Sequence, residues 1–256
     1  MAGRNKKKRY GRRRARSHGG FVLPAILFAI LTPIAVFVAV TVFFKVGTIT
    51  VTGESGYTDA RIIEASGIKI GENMFKFNKF KAINGIFDDM PYIDEIMIRR
   101  RLPDNVEINV TKCEPVFTAE GEDGVYLLDI KGKILEKVSE DRRDGHITVL
   151  GMTLSDPQVG KYAKFFDEEK EKTLYLLLNT AKKNDILPYV GIINMDKLYS
   201  VKLTYKGRFT VNIGSSDQME KKIRYMLIIA EEKLLETYKG TIDVSDGTTA
   251  RFIPEN

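Results

Sequence analysis

Apolar positions first run without interruption and then alternate. From Phe21 to Phe44 the chain reads FVLPAILFAILTPIAVFVAVTVFF, 24 residues with no charged side chain. As a helix rising 1.5 Å per residue this stretch reaches ~36 Å, enough to cross a hydrocarbon core of about 30 Å with some tilt. It is longer than the apolar part of a cleavable signal peptide, and Val38 to Gly47 holds no A-x-A site, so it reads as an uncleaved membrane span. Pro24 falls in the expected first turn, where a missing N–H costs little, and Pro33 falls mid-span, where it kinks the helix.

Past the span, Thr48, Thr50 and Thr52 alternate with Ile49 and Val51, a half-buried strand that Gly53 stops. Thr58 is placed to cap a short helix that ends at Gly67. Phe80, Ile83, Ile86, Phe87 and Met90 recur at helical spacing over Lys79 to Met90, and Pro91 closes that helix. Ile96 and Ile98, then Val106, Ile108 and Val110, form two alternating runs joined by a turn at Leu102 to Asn105. The order strand, helix, helix, strand, strand predicts two helices over one face of a three-stranded sheet.

The rest of the chain predicts mainly strands with two helices. Val125–Ile130 and Lys133–Val138 flank a turn at Lys131-Gly132, and His146–Leu150 is another short strand. Asp167 caps a helix carrying Leu174, Leu177, Leu178 and Ala181 on one face, after which Val190 to Asn194 is apolar. Val201 to Tyr205 and Phe209 to Ile213 face each other across Lys206-Gly207. Ser215 and Gln218 suggest a capping box for what should be the longest helix after the span, ended by Gly240. A last hairpin joins Thr241–Val244 to Thr248–Ile253 around Asp246-Gly247.

Charge orients this layout. Nine Lys and Arg and no acid precede the span, whereas the charges just after it are few and mixed, which places the N-terminus in the cytoplasm and the remainder outside. Removing those nine from the 40 Lys and Arg leaves 31 against 34 Asp and Glu, a net of −3. The large C-terminal part therefore lacks the basic character that phosphate recognition needs, and no nucleic-acid partner is expected. The tail itself reads as a topology signal, with attraction to anionic lipid as an alternative.

Candidate chemistry is thin. Cys113, the single cysteine, and His146 make the one thiol and imidazole pair beyond the span, with no second signature beside them. His18 and His146 do not suffice for a zinc site, and Glu120, Glu122 and Asp123 lack the twelve-residue calcium loop. No glycine-rich phosphate loop occurs. No catalytic residue, metal or cofactor is expected. Strand edges are what the pattern does offer, since an edge carries unpaired N–H and C=O groups that can accept a strand from another chain.

Several stretches resemble a known family: the basic tail and single span, V-G-T-I-T-V-T-G directly after it, G-E-N-M-F between the two helices, and M-P-Y-I-D-E-I-M-I-R-R-R-L-P-D-N-V-E-I-N-V-T-K-C-E-P. Together with G-T-I-D-V near the C-terminus these are similar to the FtsQ/DivIB family of bacterial division proteins, with Cys113-Glu114 as a departure where members more often carry a charged pair. The resemblance implies an α+β protein: a cytoplasmic tail (1–20), a transmembrane helix (21–44), a POTRA domain of β-α-α-β-β order (45–114) and a mainly antiparallel β-rich domain with two helices (115–256). It implies a non-enzymatic scaffold of the divisome in the plasma membrane at the septum. Such a scaffold links partners of the FtsB/DivIC and FtsL type through its last strands. The matching positions are Thr241, Ile242, Asp243, Val244, Thr248, Thr249, Arg251 and Phe252. Of these, Arg251 and Phe252 best suit an interface, while Ile242 and Val244 also fit ordinary core positions. The alternative is a membrane-anchored, extracytoplasmic cell-wall enzyme.

Overall fold

The computed structural model describes residues 19–139, 145–235 and 237–255. Helix α1, Gly19–Phe43, contains the apolar window Leu23–Phe43, long and apolar enough to cross a membrane and with none of it buried against the rest of the chain. It begins earlier than expected, so Pro24 lies inside the helix and not in its first turn. The hydroxyls of Thr32 and Thr41 donate to the carbonyls of Phe28 and Phe37, both at 2.7 Å, so neither is left bare on an apolar surface.

A three-stranded sheet follows. Strand β1 (Thr48–Gly53) precedes α2 (Asp59–Ser66) and α3 (Lys79–Asp89), and β2 (Ile93–Arg101) and β3 (Asn105–Lys112) complete it. Strand β3 is central, parallel to β1 and antiparallel to β2. The helices bury Ile62 and Ile86 against Ile93, Ile98, Val106, Ile108 and Val110 of the sheet. Gly67 ends α2 in the left-handed region at φ 64°, as a C-terminal glycine should. Asn78 caps α3 by accepting from the N–H groups of Phe80 and Lys81. One expectation fails here, because Phe80 is 77% exposed and belongs to no core.

The second sheet has nine strands. In chain order they are β4 (Pro115–Gly121), β5 (Gly124–Asp129), β6 (Ile134–Val138), β7 (Ile147–Leu154), β8 (Val190–Asn194), β9 (Val201–Tyr205), β10 (Phe209–Gly214), β11 (Gly240–Asp243) and β12 (Arg251–Pro254). In space the order is β12-β11-β10-β9-β8-β7-β4-β5-β6. Antiparallel pairs predominate, but β4/β7, β7/β8 and β10/β11 are parallel, so the sheet is mixed. Helices α4 (Glu168–Lys183) and α5 (Met219–Leu227) supply Leu174, Leu177, Leu178, Ile223 and Met226 to the core.

The Asp167 carboxylate caps α4 as the sequence indicates, accepting from the N–H groups of Glu169 and Lys170. The capping box foreseen for α5 does not form. Gln218 stands at the N-cap in the left-handed region with no side-chain capping bond, and the Ser215 hydroxyl reaches Asp217 instead. Nor is α5 the longest helix after the span. It passes into a π-helical stretch at Ile228–Lys233, and α4, with 16 residues, is longer.

Among the described residues, three lysines tie the unit of the first sheet to that of the second. Lys131 pairs with Asp94 at 2.8 Å, and Lys161 pairs with Asp88 at 2.9 Å. Lys133 is buried, donates from Nζ to the Ile93 carbonyl at 2.6 Å, and sits 4.8 Å from the Phe87 ring centroid. Burial pushes its ammonium below the ordinary lysine range, partly offset by the Asp129 carboxylate.

Candidate partner-binding edge

A nine-stranded open sheet has two outer strands, here β6 and β12. Beside β6 runs the segment around Lys161. The Ile134 N–H donates to the Lys161 carbonyl at 2.9 Å, the Gly160 N–H donates to the Ile134 carbonyl at 2.8 Å, and Lys133 bridges Tyr162. The chain itself thus covers the start of that edge, at Ile134.

Strand β12 has no such cover among the described residues. Its register on β11 sets Asp243 opposite Arg251, Ile242 opposite Phe252, Thr241 opposite Ile253 and Gly240 opposite Pro254. Which backbone groups point outward follows from the neighbouring bonds. The Gly240 and Val244 N–H groups donate to Arg208 and Asn212 on the β10 side, and the Glu255 N–H donates to the Lys239 carbonyl. By the alternation of an antiparallel pair, Arg251 and Ile253 bond back to β11, while the N–H and C=O of Phe252 face outward. Pro254 also faces outward, where a missing N–H costs nothing.

The side chains sort the expected positions into three groups. Ile242 and Val244 are fully buried, so their side chains serve the core and are not available to a partner. Phe252 is half-buried on that same side, its ring edge-on to Phe209 at 6.0 Å and Tyr238 at 6.1 Å. It therefore anchors its own strand. Thr248 and Thr249 shape the preceding turn: both N–H groups donate to Asp246 Oδ1 at 2.8 Å, and the Thr249 hydroxyl donates to Oδ2 at 2.6 Å. The Thr249 side-chain bond first, then the two N–H bonds, hold the Asp246 carboxyl well below its usual range.

Thr241, Asp243 and Arg251 lie on the opposite face of the sheet. Desolvation raises the Asp243 carboxyl, but bonds from Ser245 and Asn212 outweigh it and leave the group lowered. On this face sequence reading missed Ile253, which is 57% exposed. Strict alternation could have found it, because a buried Ile242 paired to Phe252 puts Ile253 on the other side. Two adjoining grooves of 510 and 560 Å³ cross this face, sharing Thr204 and Gly207, and the first is bounded by Ile253 and Thr241.

The other candidates are not assembled into a site. His146 lines the second groove, whereas Cys113 is buried at the junction of the sheets with Asp94 and Asp129. Desolvation first, with Asp129 adding to it, pushes the Cys113 thiol up to about 12, so it stays protonated. Donor atoms of Asp94, Cys113 and Asp129 lie within 4.8 Å of one another, yet Asp94 is paired with Lys131 and the Lys133 ammonium adjoins the other two. Asp123 bonds Lys137 and Tyr126 at 2.6 and 2.7 Å, which engages it in the turn and not in a cation loop.

Comparison with known proteins agrees with this architecture. Residues 44–112 match the family model described as POTRA domain, FtsQ-type. The chain is 30% identical over 222 residues to the cell division protein DivIB of Clostridium botulinum, spanning 86% of each. It is 28% identical over 204 residues to DivIB of Clostridium acetobutylicum, spanning 79% of this chain and 80% of that one. Against the cell division protein FtsQ of Corynebacterium glutamicum it is 33% identical over 108 residues, 42% of this chain and 47% of the relative.

Proposed function

The chain belongs to the DivIB/FtsQ family of cell division proteins, and from that premise we propose that it is a non-enzymatic scaffold whose open β12 edge takes up a strand from another division protein. The observation that carries this reading is the bare outer edge of β12, with outward N–H and C=O groups at Phe252, where the outer edge of β6 is met at its first residue by the Gly160–Lys161 segment. The partner would be of the FtsB/DivIC and FtsL type. Its strand would continue the ladder past β12, with Arg251, Ile253 and Thr241 offered along the bare face. The α1 helix is the single-pass anchor. In this reading the basic tail lies in the cytoplasm and both sheets lie outside, the first as a POTRA domain (45–114) and the second as the partner-binding domain (115–256).

The test is co-purification of the tagged chain from membranes with FtsL- and DivIC-type proteins, comparing the native chain with Phe252→Pro and Phe252→Ala. Loss of the partners with proline but not with alanine supports strand addition. Equal retention in both refutes it.

A further inference from the structure

The end of the membrane span is fastened to the first sheet's unit at one place. Asn73 Nδ2 donates to the carbonyls of Val40 and Thr41 at 2.9 and 3.4 Å, reaching two carbonyls in the last turn of α1. Residues 71–74 then run along 44–46. The Met74 N–H donates to the Phe44 carbonyl at 2.9 Å, the Val46 N–H to Glu72 at 2.8 Å and the Gly71 N–H to Val46 at 2.7 Å. The Phe44 and Phe75 rings meet edge-on at 5.7 Å. Arg100 stiffens the loop, donating to the carbonyls of Met74 and Phe77 with its guanidinium over the Phe77 ring.

Val40 and Thr41 belong to the apolar span, so whatever is bonded to them stands at the level where the span leaves the lipid. In the stretch around Asn73 three large apolar side chains are exposed: Ile70 at 71%, Phe75 at 50% and Phe80 at 77%. The same stretch carries Lys69, Lys76, Lys79 and Lys81 against the single acid Glu72, whose carboxylate accepts from the Lys69 N–H. Aromatic and aliphatic side chains ringed by lysines are the composition of a segment lying in a membrane interface.

We propose that residues 69–81 rest on the bilayer, with Ile70, Phe75 and Phe80 entering the boundary between headgroups and acyl chains and the lysines meeting anionic headgroups. The contact rests on α1 spanning the membrane. The occupant is lipid, not a second protein, because the bonds from Asn73 and Met74 hold this segment beside the last turn of the span. It fixes the first sheet against the membrane surface and thereby sets the direction in which the second sheet projects.

The chain contains no tryptophan, so single-tryptophan variants report without background. Full-length Phe75→Trp, Phe80→Trp and, on the second sheet's unit, Tyr199→Trp (native side chain 72% exposed) would be reconstituted in phosphatidylcholine and phosphatidylglycerol vesicles with brominated acyl chains. Flotation with the vesicles establishes that α1 is inserted. The expected result is about a twofold or larger loss of emission at positions 75 and 80, with shielding from aqueous iodide, and little loss at 199. Phe80 makes no core contact, so its variant decides the outcome if Phe75→Trp disturbs the loop. A floating chain in which position 80 is no more quenched than 199 overturns the lipid contact while leaving the anchor in place. That holds whether iodide reaches the site or a protein shields it.

Discussion

The two edges of the nine-stranded sheet are made of similar material and end up opposite in character. Strand β6 carries Ile134 and Leu135, both buried, and its outer backbone is met at Ile134 by Gly160 and Lys161. Strand β12 carries Phe252 packed inward and Ile253 turned out, and its outer backbone meets nothing among the described residues. Neither edge relies on its own side chains for protection; a neighbouring segment of chain makes the difference. An edge that a protein leaves bare is a hazard unless it has a use, and on one sheet the covered strand serves as an internal control for the bare one.

Breaking the covered edge should cost the most. Leu135→Ala removes a buried side chain from β6 and should destabilise the chain by about 2–5 kcal/mol, read by urea unfolding followed by circular dichroism, with partner retention unchanged while it is folded. At the bare edge, Phe252→Pro should weaken partner retention about tenfold relative to Phe252→Ala, because it removes the outward N–H and sets a ring in the partner's path. Ile253→Ser and Arg251→Ala should each cost binding about 1 kcal/mol and leave stability within about 0.5 kcal/mol, measured by titration with the purified partner and by the same unfolding assay. Should Leu135→Ala abolish binding in a folded chain while Ile253→Ser has no effect, the assignment of the two edges is reversed.

The smallest effect concerns the turn that launches β12. Asp246 has its folded carboxyl lowered, so its contribution is present above the ordinary aspartate value of about 3.9 and is lost as pH falls through the folded value. Amide exchange at Thr248 and Thr249, corrected for intrinsic pH dependence, should therefore speed up below about pH 4 while the buried Ile242 amide holds.

Much of this was legible in the chain before any coordinates. The uninterrupted apolar run, the β-α-α-β-β order and the Asp167 cap all rest on local rules, spacing and capping chemistry, that tertiary contacts did not overturn. What escaped depended on contacts distant in sequence. The parallel pairing of β4 with β7 and of β7 with β8 leaves no local trace, nor does the shielding of β6 by residues some 26 positions further on. Ser215 and Gln218 fit a capping box on paper, but Lys222 Nζ reaches back to the Ser215 carbonyl and the turn takes another shape. Phe80 shares the helical spacing of Ile83 and Ile86 yet is exposed, because a helix of 11 residues with Ile86 buried has little face to spare. Within the candidate edge, the strand was legible and the identity of its outward residue was not, because register on β11 decides between Phe252 and Ile253.

The parallel pairing of β1 with β3 has a mechanical consequence. The chain arrives from the span at Thr48 and departs toward the second sheet after Lys112, and the register runs from Thr48 opposite Asn105 to Gly53 opposite Val110. Entry and exit thus sit at opposite ends of the same pair of strands. A pull between the membrane and the distal sheet loads the rungs of that ladder together, in shear, and does not peel them apart one by one. If a partner held at β12 moves relative to the membrane, the first sheet transmits the tension as a stiff coupling.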